Sequence, residues 1–500
     1  MSVEKFISVD VAIIGAGGAG LAAAIEAKNA GASVAMIEKT DTLGGAAILS
    51  GGGCLIAGSP LQERLGIHDS ADLAFEDWMI WGQGAADEPW VRCYLDHSVS
   101  DLYRWAERLG VTWESVRPQE GNRAQRWHRP KNAGRGLTTA LIDAAHNIGV
   151  DKILASTAVR EIRRRDGRVC GLTAAHVSSG ERVEIDSKAL ILATGGFNAN
   201  LDMVLAARPE LKTSRVLLGG GPGATGEGHG LARDLGAQLT HMEHIWFYAH
   251  ATPDYRDPGG KRGLVFRMDL DTIWVNQQGK RFHNESLYGG NSATPALLRQ
   301  NPRHAWAILD TPLVATLEVA DPFYREGAKI HREKIQELLD RSPYVRKADS
   351  LEELARKMET DVPTFLATVE RHNNACADGL EREPEFGKLM KNSKKLEVPP
   401  YYAIQIFPLA RKNFGGIRTD MKCRVLNQTM APIPGLYAAG EVAGMAGGHI
   451  NGKAGLEGTM LGPSIFSGRV AGAWAAQEAG FGSGFKGDAA PVDRQKLRAV

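Results

Sequence analysis

Val9-Asp10-Val11-Ala12-Ile13-Ile14-Gly15-Ala16-Gly17-Gly18-Ala19-Gly20 is the stretch that decides the fold. An apolar strand runs into a G-x-G-x-x-G turn, and an alanine-rich helix follows. Gly15 permits the tight turn, Gly17 lets a pyrophosphate approach the backbone, and Gly20 lets the helix pack close to the strand. Phosphates at such a turn meet free N–H groups and the positive end of the helix dipole. A second apolar strand, Ser33 to Ile37, ends in Glu38. That is the spacing at which a carboxylate accepts from a ribose hydroxyl. The expected ligand is a dinucleotide.

The rest of the chain must accommodate this unit. Its 500 residues are too many for one core, so two or three domains are expected. A net charge of +1 with 23% charged residues gives no reason to expect a nucleic-acid or membrane-surface partner. The five cysteines (Cys54, Cys93, Cys170, Cys376, Cys423) contain no C-x-x-C pair. They read as reduced thiols of a cytoplasmic protein, with no disulfide frame and no zinc site, and no metal centre is expected. No apolar run is long enough for a membrane span, and no export signal is expected.

Glycine marks the ligand side of the chain. Leu43-Gly44-Gly45-Ala46-Ala47 and Ser50-Gly51-Gly52-Gly53 follow the first βαβ unit and suggest backbone pressed against a flat or charged ligand. Leu73 to Leu109 reads as helical, with Trp78, Trp81, Trp90 and Trp105 as core anchors. Gly136 to Ile148 reads as another helix. Strands are expected at Ser156 to Arg163, Arg168 to Val177 and Glu181 to Ile185, a small meander that places the Val159 backbone to reach an adenine. A separate strand, Ala189 to Ala193, ends in Thr194-Gly195-Gly196, again a phosphate- or flavin-side turn. Gly219 to Gly230 contains Gly226-Glu227-Gly228. From His244 to Pro408 aromatics and charged helices (Lys329 to Leu339, Ser350 to Lys357, Val362 to Cys376) replace the glycines. The glycine-rich style returns at Phe414-Gly415-Gly416 and runs through Ala438-Ala439-Gly440-Glu441 to a last helix, Gly462 to Glu478.

In these residues the chain resembles the flavoprotein family of fumarate reductase, the succinate dehydrogenase flavoprotein subunit, urocanate reductase and ketosteroid dehydrogenase. The motifs that carry the resemblance are V-A-I-I-G-A-G-G-A-G, I-L-A-T-G-G-F, G-A-T-G-E-G, V-N-Q-Q-G-K-R-F-H-N-E, F-G-G-I-R-T-D, P-I-P-G-L-Y-A-A-G-E and G-T-M-L-G-P-S-I-F-S-G-R-V-A-G. The resemblance implies an α/β fold: a Rossmann-like FAD-binding domain (1–244 and 409–480) with an inserted α+β capping domain (245–408), and a flexible tail (481–500). It implies FAD lined by Gly15, Gly17, Ala19, Gly20, Glu38, Lys39, Gly44, Gly45, Ala46, Ala47, Gly51, Gly52, Val159, Ala193, Thr194, Gly195, Glu227 and Glu441. The Met460 and Leu461 backbone would face the flavin pyrimidine edge, where a helix N-terminus stabilises negative charge. The loop that carries a flavin-linking histidine in part of the family has none here, so non-covalent FAD is expected.

The implied chemistry is hydride exchange between flavin and a substrate carbon, with a side chain moving a proton at the neighbouring carbon. Fumarate reductases continue after N-E toward an arginine that donates this proton. Here Asn284-Glu285 is followed by Ser286-Leu287-Tyr288-Gly289-Gly290, and Gly448-His449-Ile450-Asn451-Gly452-Lys453-Ala454 lacks a second, carboxylate-clamping arginine. The pattern is closer to the ketosteroid dehydrogenase branch, in which a tyrosine beside N-E removes a proton alpha to a ketone. Tyr288 matches it. Gly458 is the candidate backbone donor, Lys453 a substitute for a missing hydroxyl, and His250 a substrate-side histidine. Arg411 and Lys412 stand where reductases place a carboxylate-binding histidine; His449 and Trp246 are further pocket candidates. The main expectation is a dehydrogenase acting on a CH–CH bond beside a carbonyl or carboxylate. The alternatives are an activated-alkene reductase and a flavoprotein subunit of an electron-transfer complex. The substrate is a small molecule, and the electron partner and oligomeric state stay open.

Overall fold

The computed structural model describes residues 5–267, 272–287, 289–326, 329–390 and 393–487. The chain forms two compact units, Met1–Asn200 with Gly220–Ile245 and Lys412–Val500, and Leu201–Gly219 with Trp246–Arg411. Composition gives no reason to detach Leu201–Gly219 from the first unit. Of the expected tail, residues 488–500 lie outside the described residues.

The first unit is built on a mostly parallel sheet. Its strands are β1 (Lys5–Ile14), β2 (Val34–Ile37), β3 (Lys152–Leu154), β4 (Thr157–Arg165), β5 (Arg168–His176), β6 (Arg182–Leu192), β7 (Arg424–Leu426) and β8 (Pro432–Ala438). The order is β7-β8-β6-β1-β2-β3, with β4 and β5 attached through β6. β1 is nearly continuous apolar sequence because both faces are covered, and Val11, Ala12 and Ile13 are fully buried. Helix α1 (Gly18–Asn29) follows β1, α2 (Glu227–Asp234) comes later, and α3 (Leu461–Glu478) closes the unit. α1 and α3 cross closely because a Cβ on Gly468 or Gly472 would stand 2.2 Å from the Ala19 or Ala23 carbonyl oxygen.

Two readings of the sequence change in the fold. The expected strands Glu181 to Ile185 and Ala189 to Ala193 are one strand, β6. Its first half pairs with β5 and its full length with β1, so it leaves the meander and enters the main sheet without a break. The expected helix from Leu73 to Leu109 is broken into Ala71–Trp81, Glu88–His97, a π-helical Ser98–Arg104 and Trp105–Arg108. Gly82 ends the first, and Asp87 with Pro89 starts the second. The buried Arg469 side chain takes the Asp101 carbonyl at 2.5 Å, a partner that competes with the regular helical ladder.

The second unit has its own sheet, in the order Ile273–Val275, Ala305–Leu309, Tyr401–Asn413, Ile245–Pro253, Gly263–Arg267 and Glu318–Val319. Trp274, Phe266, Tyr324 and Phe365 fill its core. No helix among the described residues is long and apolar enough to cross a membrane. No two cysteines form a disulfide.

Candidate functional site

Four parallel strands of the first unit end level with one another. Ile14 pairs with Ile37 and with Leu192, and Leu192 pairs with Ala438. Four turns therefore leave one edge of the sheet together: Gly15-Ala16-Gly17, Glu38-Lys39, Ala193-Thr194-Gly195 and Ala439-Gly440-Glu441. An open parallel sheet binds ligands at this edge, where neighbouring connections diverge.

These turns show both tight packing and room. Gly15 has φ +103°, and a Cβ there would stand 2.4 Å from the Ala193 carbonyl oxygen. A Cβ on Gly20 would stand 1.9 Å from the Gly15 oxygen, whereas one on Gly17 or Gly195 would meet nothing within 4 Å. Gly17 is the N-cap of α1, with no side chain capping the helix, so the first N–H groups are open to an anion. Thr194 Oγ1 is buried and has no hydrogen-bond partner among the described residues. Glu38 is 8% exposed. It accepts from the Ala16 N–H at 2.9 Å, the Thr40 N–H at 2.9 Å and the Thr40 hydroxyl at 2.7 Å. A carboxylate has about four acceptor positions, so one remains for a hydroxyl. Open glycines, an uncapped helix, an orphaned hydroxyl and a fixed carboxylate fit a dinucleotide.

The remaining expected cofactor residues divide into two sets. Gly44 donates its N–H to the Ala16 carbonyl at 2.8 Å, and Gly45 lies against Gly17. Ala46 and Ala47 sit in the short helix Gly45–Ile48. Lys39 joins Glu227, at the start of α2, in a 2.7 Å ion pair and donates to Thr225 Oγ1 at 2.7 Å. Val159 follows Thr157, whose N–H donates to the Glu38 carbonyl at 2.8 Å. Met460 and Leu461 start α3, which has no side-chain cap. Gly51 and Gly52 form the second set: Gly51 is exposed, with the Trp127 indole 3.5 Å from where a Cβ would stand, and a Cβ on the buried Gly52 would stand 2.5 Å from the Ala133 backbone.

Glu441 anchors a network that the sequence does not signal. Its Oε1 accepts from Asn198 Nδ2 at 3.0 Å and the Asn413 N–H at 3.2 Å, and its Oε2 pairs with Lys412 Nζ at 3.1 Å. Asn413 Nδ2 donates to the Gly415 and Glu441 carbonyls at 2.6 and 2.9 Å. This ties the Thr194-Gly195-Gly196 turn to the Gly440-Glu441 turn. Asn198 and Asn413 carry no motif signature, because their roles depend on strand ends that meet only in the folded sheet.

Of the expected catalytic residues, His250 and Arg411 belong to the second unit and Lys412, Lys453 and Gly458 to the first. Tyr288 lies outside the described residues. Asn284-Glu285, just before it, is firmly held in the second unit. Glu285 pairs with Arg281 at 2.7 Å and takes the Trp274 N–H at 3.0 Å; Arg281 reaches Glu383 at 3.0 Å, and Lys388 lies 3.6 Å from Glu285. Burial opposes the Glu285 charge, yet Lys388 and Arg281 hold its carboxyl below the ordinary range. His250, in Ile245–Pro253, is buried and stacks on Tyr248. Burial first, then the Arg267 charge, push its pKa down to about 4, so it is neutral at pH 7. The Arg411 guanidinium donates to the Gly219 carbonyl. Lys453 is exposed, and its N–H donates to the Gly82 carbonyl at 3.2 Å. The Gly458 carbonyl accepts from the Leu55 N–H at 3.0 Å.

One convergence has no counterpart in the sequence reading, which expects no metal centre. His241, His244 and His449 of the first unit bring their ring nitrogens within 4.8 Å of one another. The H-x-x-H spacing of the first two is a weak ligand signal. The third lies 205 residues from His244.

Comparisons with known proteins point to the same class of ligand, FAD. A family model described as "FAD binding domain" matches residues 10–461. The chain is 32% identical to fumarate reductase (cytochrome) of Shewanella frigidimarina over 94% of this chain and 77% of that protein. It is 30% identical to vinyl phenol reductase of Lactiplantibacillus plantarum over 95% of this chain and 98% of that protein. It spans about half, 48%, of NADH:fumarate oxidoreductase of Klebsiella pneumoniae, at 30% identity and over 94% of this chain. Among solved structures, 3-ketosteroid-Δ4-(5α)-dehydrogenase from Rhodococcus jostii RHA1, in complex with 4-androstene-3,17-dione, superposes with a TM-score of 0.71. That match has 28% identity and covers 95% of this chain and 98% of that one.

Proposed function

The chain belongs to the family of FAD-binding oxidoreductases that act on CH–CH groups, and we propose that it is a dehydrogenase of a ketone-type substrate. Bound FAD supplies the hydride acceptor. In this reading the Gly15–Gly20 turn and the N-terminus of α1 hold the pyrophosphate, and Glu38 holds a ribose hydroxyl. The Met460 and Leu461 N–H groups at the start of α3 hold the flavin pyrimidine edge without a covalent link. Residues 245–408 supply the substrate side, and Tyr288 removes the proton from the carbon beside the carbonyl. A free tyrosine titrates near pH 10, so the site must favour its ionised form. His250 is a poor base because its neutral form is so strongly favoured; its role is to donate or accept a hydrogen bond.

The observation that carries this reading is the pairing of Lys412 with Glu441. At the position where the resemblance places a carboxylate-binding side chain, the cation is already matched. Arg411, its neighbour, is turned in part to the Gly219 carbonyl. A dicarboxylate would find neither the two arginines nor this clamp, whereas a neutral ketone needs only hydrogen-bond donors. A second reading, reduction of an activated alkene without a carboxylate, draws support from the similarity to vinyl phenol reductase over 98% of that protein's length. We place the protein in the cytoplasm, where five cysteines with no disulfide among them stay reduced.

The test is anaerobic flavin spectroscopy. Bleaching by saturated cyclic ketones supports the dehydrogenase. Reoxidation of chemically reduced enzyme by enones or vinyl phenols, without such bleaching, supports the second reading. Tyr288→Phe is expected to keep its FAD, released by acid into the supernatant, and to slow flavin reduction by about 10²–10⁴-fold. A wild-type rate would remove Tyr288 from the mechanism.

A further inference from the structure

The three-histidine cluster lies on a stiff part of the first unit. His241 and His244 occupy the turn between Leu239–Thr240 and the strand that begins at Ile245, and His449 sits in the turns that follow Gly447. Thr240 is paired with Gly416. The His244 N–H donates to the His241 carbonyl at 3.0 Å, and the His244 carbonyl accepts from the Phe414 N–H at 2.8 Å. The His449 N–H donates to the Ala446 carbonyl at 3.2 Å. Glycine allows the two segments to approach: a Cβ on Gly415 would stand 2.0 Å from the His241 oxygen, and one on Gly448 2.8 Å from Thr240 Cγ2. His241 itself is held in the left-handed region, at φ +52°.

On this frame the rings converge. His244 Nδ1 lies 2.6 Å from His449 Nε2. The His241 and His449 ring centres are 3.7 Å apart with planes 18° from parallel, and those of His244 and His449 are 4.8 Å apart. At the rim, the exposed Glu243 carboxylate lies 3.6 Å from His244 Nε2 and 3.9 Å from His241 Nδ1. Three clustered imidazoles can share only one or two N–H···N bonds among themselves. A Lewis acid satisfies all three lone pairs at once, and imidazole suits zinc, copper and nickel.

We propose that His241, His244 and His449 form a binding site for a divalent transition-metal ion of the zinc class. Zn–N bonds of about 2.0–2.1 Å in a tetrahedron put ligand nitrogens roughly 3.3 Å apart. The nitrogens here, from 2.6 Å apart to within 4.8 Å, lie on either side of that spacing. Closure needs the His244–His449 pair to open by about 0.7 Å and His241 to swing its edge inward. His241 has the freedom to do so, since 44% of its side chain is exposed. A bound ion would clamp the 446–452 turns to the 240–244 turn. Its role would be independent of the proton chemistry proposed above.

The experiment uses FAD-loaded protein, stripped with a chelator and dialysed against Zn2+. Metal and flavin are then measured per chain. One zinc per chain is expected for the wild type, with a thermal stability that rises with Zn2+ concentration. His241→Ala is expected to weaken Zn2+ binding by more than about 100-fold at unchanged FAD content, beyond the 10- to 100-fold typical of losing a supporting partner. His449→Ala is expected to act in the same direction. If that buried substitution prevents folding, the half-exposed His241 decides the question. Substoichiometric zinc in the wild type would overturn the proposal. So would zinc bound equally well by His241→Ala.

Discussion

In the first unit a buried hydroxyl, Thr194 Oγ1, has no partner among the described residues, and a Cβ on Gly17 would meet nothing. In the second unit Arg281, Glu285, Glu383 and Lys388 are as deeply buried, yet they answer one another with ion pairs of 2.7 to 3.6 Å. A region that makes its own contacts holds the chain in place. A region that leaves polar groups and space unused awaits something else. The contrast separates conserving structure from receiving a ligand, although both are rich in buried polar atoms.

The contrast is broken most forcefully at Glu285. Glu285→Ala leaves Arg281 and Lys388 buried without their main counter-charge, and a loss of about 3–5 kcal/mol is expected in denaturant unfolding. A loss below about 1 kcal/mol would mean that the cluster is not a structural anchor.

Acid acts on both units. Burial pushes the His128 and His229 pKa values in the first unit, and the His250 and His372 values in the second, down to about 4. As pH falls below about 6.5 the unfolded chain binds protons that the folded chain refuses. Stability is therefore complete above about 6.5 and falls toward pH 4, by about 1.4 kcal/mol per pH unit for each histidine. Below pH 4 these groups add no further loss. Burial keeps His128 neutral even though its Nδ1–H donates to the Arg126 carbonyl at 2.8 Å, a bond that favours the charged ring; Nε2 accepts from the Ser59 hydroxyl at 2.6 Å. His128→Gln is expected to reduce the slope by one histidine's share in urea titrations at pH 6.5, 5.5 and 4.5.

At the ligand edge the effects are smaller and fall on binding. Glu38→Ala is expected to weaken FAD by roughly 1–3 kcal/mol in fluorescence titration of the apoprotein, the cost of leaving a buried partner unsatisfied. Unchanged affinity would detach Glu38 from the ribose. Gly17→Ala sharpens the comparison furthest. It is expected to change apoprotein stability by about 1 kcal/mol or less while weakening FAD. Gly20→Ala, whose Cβ would stand 1.9 Å from the Gly15 oxygen, is expected to destabilise the apoprotein itself. If both substitutions behave alike, the open space at Gly17 is not a ligand position.

The sequence alone determined what depends on local geometry. A G-x-G-x-x-G turn between an apolar strand and an alanine-rich helix has few physical solutions, so Gly15, Gly17, Gly20 and Glu38 were legible from spacing. So was the last helix with its small-residue face. Tertiary structure decided what depends on strand ends meeting. The folded first unit set Asn198, 243 residues away in sequence, beside Asn413 and Lys412, 28 and 29 residues away, around Glu441. It made one strand of Arg182–Leu192 where composition suggested two, because the strand pairs with β1 along its length while its first half also pairs with β5. It set the buried Gly52 so close to the Ala133 backbone that a Cβ would stand 2.5 Å from it. It also gathered His241, His244 and His449. A hydrogen bond of 2.6 Å between residues 205 positions apart leaves no trace in local pattern, because only the folded first unit brings the two turns within reach.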